Sequence, residues 1–165
     1  MDDSEDAGGE TAFGITAAVA RAAGYAGPLG ALSRDQAKAI YRQRYWDAPG
    51  LGAVAALSSA VAAELFDTGV NMGTQTAARW LQRALNVLNR QGADFPDVPA
   101  DGRIGRATIA ALGAFLRRRG RGGEAVLLTA LNCLQGARYI ELAETRAADE
   151  RFVFGWLANR VLLAG

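Results

Sequence analysis

Apolar residues recur at helical spacing along most of the chain, and glycine- or proline-rich polar stretches separate the segments. Thr16 caps a short predicted helix that runs through Ala23 and ends at Gly24, ahead of Gly27-Pro28. Ser33-Arg34-Asp35-Gln36 reads as a capping box; the helix it opens carries Ala37, Ile40 and Tyr41 and stops before Pro49. From about Gly52 a further helix is predicted with Leu57, Val61, Leu65 and Phe66 on its apolar side, ending near Asn71-Met72-Gly73. Thr74 or Thr76 starts another, with Trp80, Leu81, Leu85 and Leu88 facing in, Arg79, Arg83 and Arg90 facing water, and Gly92 closing it. Ala93 to Gly105, with Pro96, Pro99, Gly102 and Gly105, predicts a long loop.

Beyond that loop the spacing predicts a helix over 106–118 carrying Ile109, Leu112 and Leu116, then the longest helix over about 123–146. Val126, Leu127, Ala130, Leu131, Leu134 and Ala137 form its broad apolar stripe, which predicts a central, heavily buried element. Asp149 is the expected cap of a last helix rich in Phe152, Phe154, Trp156, Leu157 and Val161. The expected fold class is therefore all-α, about seven helices with a long central loop.

Composition supports that reading. Half of the 165 residues are hydrophobic, chiefly alanine and leucine, so the chain can bury a core. The length suits one domain or two tightly joined lobes. A net charge of +1 gives no whole-molecule attraction for nucleic acid or an anionic membrane. Local asymmetry is visible, however. Asp2, Asp3, Glu5, Asp6 and Glu10 crowd the start, and Arg117, Arg118, Arg119 and Arg121 crowd a helix end. That run reads either as a solvated cap on a negative helix terminus or as a site for an anionic polymer.

The chain has no histidine and one cysteine, Cys133, which sits in an apolar run and reads as a small buried core residue. A zinc or iron site and histidine-assisted nucleophilic catalysis lack their usual side chains, so no metal or cofactor is expected. The acidic start resembles no targeting segment, and the apolar run Ala125 to Leu131 is far short of the roughly 20 residues that span a bilayer. The chain reads as a soluble protein made in the cytoplasm, without stable membrane insertion.

The candidate chemistry is carboxylates, hydroxyls and amides. Asp6 to Thr16 combines Asp6, the flexible pair Gly8-Gly9, Glu10, Thr11 and Thr16, and reads as a cleft wall or as a plain turn opening a helix. Paired carboxylates are the usual equipment for cutting a glycosidic bond, one protonating the leaving oxygen and one activating water or stabilising positive charge. Phe66-Asp67-Thr68-Gly69-Val70-Asn71 puts Asp67 and Asn71 on one helix face, suited to sugar hydroxyls or to capping a neighbour. Tyr45 and Trp46 beside Asp47 offer aromatic faces for a sugar ring or for core packing. Asp101-Gly102-Arg103-Ile104-Gly105 is a tight turn opening a helix.

In this order these patches resemble glycoside hydrolase family 108, the lysozyme-like muramidases of phage endolysins and of proteins labelled secretion activators. The similarity covers nearly the whole chain. It rests on Asp-Ala-Gly-Gly-Glu-Thr-Ala-Phe-Gly-Ile-Thr, Tyr-Trp-Asp, Phe-Asp-Thr-Gly-Val-Asn-Met-Gly, Ala-Ala-Arg-Trp-Leu-Gln-Arg-Ala-Leu-Asn and Asp-Gly-Arg-Ile-Gly. The tail from Gln-Gly-Ala-Arg-Tyr-Ile-Glu through Phe-Gly-Trp-Leu-Ala-Asn-Arg-Val completes it.

The resemblance implies a lysozyme-like muramidase lobe over 1–76 and a predicted peptidoglycan-binding helical lobe over 77–165. It implies an N-acetylmuramidase cutting the bond between N-acetylmuramic acid and N-acetylglucosamine, with peptidoglycan glycan strands as partner. Asp6 would be the second carboxylate, and Thr11 would position water or substrate. Gly8, Gly9, Glu10, Tyr45, Trp46, Asp67 and Asn71 would line the sugar subsites. The family's acid, a Glu in a Glu-Gly-Gly-aromatic motif, is expected just before Met1 and so outside this sequence. The alternative is a non-catalytic wall-binding or secretion-regulating module. Action in the periplasm or on the wall would need a holin or a secretion system for export.

Overall fold

The computed structural model describes residues 11–161. It is all-α apart from one small hairpin, with seven α-helices among the described residues. The chain forms two compact units, residues 1–48 and 49–165.

In the first unit, strands β1 (Thr11–Ala12) and β2 (Ile15–Thr16) pair antiparallel, with Thr11 opposite Thr16 and Ala12 opposite Ile15. The sequence pattern suggests a turn opening a helix here, and no strand. Phe13 and Gly14 turn the hairpin with φ of 54° and 75°, the left-handed pair that a two-residue hairpin turn requires. Tyr41 Oη donates to Phe13 O at 3.1 Å, which ties this turn to α2. Helix α1 (Ala17–Ala22) starts where expected, since Thr16 Oγ1 accepts from Val19 N. Helix α2 (Arg34–Arg42) carries the complete capping box: Ser33 Oγ accepts from Gln36 N, and Gln36 Oε1 accepts from Ser33 N. Ile15, Ala20, Leu29, Leu32, Ala37 and Ile40 make the small core of this unit.

The second unit departs from the sequence pattern in instructive places. The single helix expected from Gly52 is two, α3 (Leu51–Ala55) and α4 (Ser59–Met72). Ser58 is the reason: it turns to extended backbone and its buried hydroxyl accepts from Val61 N, so the alanine-rich run restarts there. Helix α5 (Thr74–Leu88) follows the left-handed Gly73 and buries Trp80, Leu81 and Leu85 as predicted. The loop between it and α6 lies where proline and glycine placed it.

Helix α6 (Arg106–Thr145) joins the two helices predicted there, with a break at Gly120, whose φ of 60° and ψ of −154° are non-helical. Its buried stripe is rotated from the expected one. Leu127 and Leu131 are buried, but Val126 and Ala137 are exposed, and the stripe runs on through Asn132, Gln135 and Tyr139. Cys133 is correspondingly exposed, not buried, at a depression lined by Val87, Ala130 and Leu134. The physical reason is that α4 and α5 pack on α6, and α4 meets it at Gln135, whose amide reaches Asp67 and Thr68.

Helix α7 (Glu150–Trp156) also corrects an expectation. Asp149 makes no capping bond; it belongs to a 3-10 turn (Ala147–Asp149) and its carboxylate stands 3.8 Å from Arg146. A π-turn (Leu157–Val161) continues the helix and packs on α6. No helix among the described residues is long and apolar enough to cross a membrane.

Candidate functional site

Of the residues singled out for chemistry, Asp6, Gly8, Gly9 and Glu10 lie outside the described residues. Thr11 is exposed at the start of β1, in the hairpin held by Tyr41. Tyr45 and Trp46 lie on a π-turn (Gln43–Asp47) that extends α2. The Tyr45 ring packs against Tyr41 with centroids 5.5 Å apart, and the Arg44 guanidinium lies 5.6 Å over it. Part of the Tyr45 surface therefore serves packing within its own unit.

Asp67 and Asn71 sit on the last turns of α4, and each is engaged by protein groups. Asn71 Nδ2 donates to the Asp67 backbone carbonyl at 2.8 Å, the local capping arrangement open to an amide one turn further on. The Asp67 carboxylate faces α6 and the C-terminal π-turn: Gln135 Nε2 donates to Oδ2 at 3.3 Å, and Arg160 Nε stands 3.7 Å from Oδ1. Both partners of the ion pair are partly solvated, 44% and 33% exposed, so the pair contributes on the order of 0–1 kcal/mol and serves chiefly to orient the carboxylate.

One turn earlier, Glu64 brings a second carboxyl to the same patch. Its Oε1 accepts from Thr68 Oγ1 at 3.3 Å, and Thr68 Oγ1 accepts in turn from Gln135 Nε2 at 3.3 Å. Burial pushes the Glu64 pKa above its ordinary 4.5, the Asp67 charge adds to the rise, and the Thr68 hydroxyl opposes it. Tyr139, one turn beyond Gln135 on α6, is also raised, first by burial. Its ring lies tilted against Trp156 with centroids 5.1 Å apart, and its buried hydroxyl has no hydrogen-bond partner among the described residues.

The patch therefore holds two carboxyls of unlike environment, a hydroxyl, an amide and a guanidinium. Gln135 is fully buried, and its Oε1 has no partner among the described residues. Such a set can hold a polar ligand by hydrogen bonds, and burial favours the protonated form of Glu64.

A second polar pin lies under the Asp101–Arg103 turn. Gln82, 1% exposed on α5, places Nε2 2.9 Å from Asp101 Oδ1, 2.9 Å from Arg103 O and 3.2 Å from Thr108 Oγ1, while its Oε1 accepts from Gly102 N at 2.9 Å. Gly102 has a φ of +77°, and a Cβ there would lie 2.9 Å from Gln75 O. The turn is locked from beneath, which fixes the start of α6.

A family model described as glycosyl hydrolase 108 matches residues 1–73, and one described as predicted peptidoglycan domain matches residues 76–161. The chain belongs to the family of the predicted peptidoglycan domain, whose model covers just over half of it, and its residues 1–73 are similar to glycosyl hydrolase 108. No curated protein matches it. The match over residues 1–73 is to a glycosidase family, and the two matches together support a peptidoglycan-related role. Glu64 and Asp67 fall in the glycosyl hydrolase 108 match, whereas Gln135, Tyr139 and Arg160 fall in the peptidoglycan match.

Glu64, Gln135, Tyr139 and Arg160 were not singled out from the sequence as site residues. Three of them lie in the tail segments that carry the family resemblance, and that was the available signal. A glutamine or tyrosine inside an apolar helix stripe is a polar group that must find a partner.

Proposed function

We propose that the chain is a peptidoglycan hydrolase of the endolysin or secretion-activator kind, an N-acetylmuramidase acting on the bond between N-acetylmuramic acid and N-acetylglucosamine. The observation that carries this reading is the succession of a glycosyl hydrolase 108 match and a peptidoglycan match along one chain. In it Asp6 is the second carboxylate, Thr11 positions water or substrate, and Gly8, Gly9 and Glu10 complete that wall. Asp67, Asn71, Tyr45 and Trp46 contact the sugars. The muramidase lobe is taken as 1–76 and the wall-binding lobe as 77–165. The chain reaches its substrate in the periplasm or wall after release through a holin or a secretion system.

One observation favours a second reading, a wall-binding or secretion-regulating module without hydrolysis. Asn71 donates to the Asp67 backbone carbonyl, and the Asp67 carboxylate is engaged by Gln135 and Arg160, as in structural residues. Incubation with purified peptidoglycan of the chain preceded by the Glu-Gly-Gly-aromatic segment that the resemblance expects before Met1 separates the two. The hydrolase reading expects new reducing ends, and Asp6→Asn lowers their release by roughly 100-fold or more, the usual scale for losing a catalytic carboxylate. Sedimentation with the wall and no reducing ends would overturn hydrolysis and leave the binding module.

A further inference from the structure

The arginine run gains a definite setting in the fold. Helix α5 ends at Leu88, the arm of α6 before Gly120 ends at Arg119, and both ends lie beside Asp94. Asp94 has a side chain only 4% exposed. Arg90 grips it in a fork, Nη2 to Oδ1 at 2.6 Å and Nε to Oδ2 at 3.0 Å. Arg118 and Arg119 reach the same carboxylate only loosely, at 3.4 and 3.9 Å, with side chains 63% and 43% exposed. Arg117 lies back over Gly113, its Nη1 3.1 Å from where a Cβ would sit, and no carboxylate pairs with it among the described residues. Arg90, Asp94, Arg117 and Arg118 line an open hollow of about 500 Å3.

Charge counting decides between a cap and a site. Three guanidiniums lie within 4 Å of one carboxylate, with Arg117 beside them, at two helix C-termini, each worth roughly half a negative charge. About two positive charges remain uncompensated, more than capping requires. Asp94 is already held by Arg90 through both oxygens, and Arg118, 63% exposed, reaches it only at 3.4 Å, so its other N–H donors are open to solvent at the hollow, which Arg117 also lines. Guanidiniums present those donors in the planar fork that matches phosphate and carboxylate oxygens.

We propose that this hollow binds the acidic groups, phosphate or carboxylate, borne by the wall polymer on which the chain acts. That ligand source rests on the wall reading above, whereas the choice of an oxyanion rests on the arginines. The site would hold the chain on the wall by charge, at a place separate from the Glu64–Asp67 patch.

The test is co-sedimentation with three preparations of one bacterial wall: intact, extracted with hydrofluoric acid to remove phosphodiester-linked polymers, and neutralised at its carboxyls by amidation. The parent chain should be retained by the intact wall, with retention falling as salt is raised to roughly 0.3 M, where screening shortens the reach of exposed charges. R117Q/R118Q should be retained roughly fivefold less, the scale of two exposed charge contacts, while R117K/R118K, which keeps the charge but not the fork, falls between it and the parent. Loss on acid extraction identifies phosphate as the ligand, and loss on amidation identifies carboxylate. Retention equal in R117Q/R118Q and the parent, with both folded by circular dichroism, overturns the site and leaves wall binding intact. A parent chain that none of the walls retains overturns the wall reading, and the ligand assigned here falls with it.

Discussion

Gln82→Leu isolates what a single buried amide contributes. Leucine keeps nearly the same volume in a position 1% exposed, so the change removes hydrogen bonds while leaving little cavity. Gly102 N–H loses its acceptor and is left without a partner under the turn, at a cost of about 1–3 kcal/mol. The buried Thr108 hydroxyl loses its contact with the amide, about 1 kcal/mol more. Two other partners recover: Arg103 O still accepts from Gly105 N at 3.0 Å, and Asp101 Oδ1 still accepts from Arg103 N at 2.9 Å. The expected loss is therefore about 2–4 kcal/mol for the second unit, not the sum of four bonds. Urea unfolding followed by far-ultraviolet circular dichroism measures it, and hydrogen exchange at the Gly102 amide localises it, since each lost 1.4 kcal/mol is about tenfold in protection. A loss under about 1 kcal/mol, or a Gly102 amide as protected as in the parent, would refute the view that Gln82 pins this turn.

Gly102→Ala attacks the same turn from the backbone: with φ at +77° and Gln75 O 2.9 Å from the new Cβ, it should cost about 2–4 kcal/mol in the same unfolding experiment, and an unchanged midpoint would contradict the geometry. Glu64→Gln should act through pH. Because the folded pKa is raised above the ordinary 4.5, the folded state holds its proton longer than the unfolded chain, so stability present below about that pH is lost as pH rises through the folded pKa. The variant, which cannot ionise, should lack that fall and gain on the parent between acidic and neutral pH. Parallel pH–stability curves for the two proteins would remove Glu64 as the cause.

The sequence by itself determined the elements whose signals are local. Ser33 with Gln36, Thr16 ahead of Ala17, and the prolines and glycines of 93–105 act through neighbours within a few residues, so their effects survive any tertiary arrangement. The break at Ser58 was local too, yet it was hidden in an alanine-rich run that reads as helix on either side. Spacing alone placed Cys133 inside and left Gln135 unremarked; packing reversed both, because which stripe of α6 is covered depends on where α4 and α5 lie. The site followed the same division. Asp67 and Asn71 were legible as a pair at helical spacing, and the bond from the Asn71 amide to the Asp67 backbone carbonyl is local. Glu64's altered carboxyl, the Gln135 and Arg160 contacts to Asp67, and the gathering of Arg90 with Arg118 and Arg119 around Asp94 join residues from separate elements. Sequence spacing carries no information on such distances, so burial and charge at these groups were decided only by the tertiary structure.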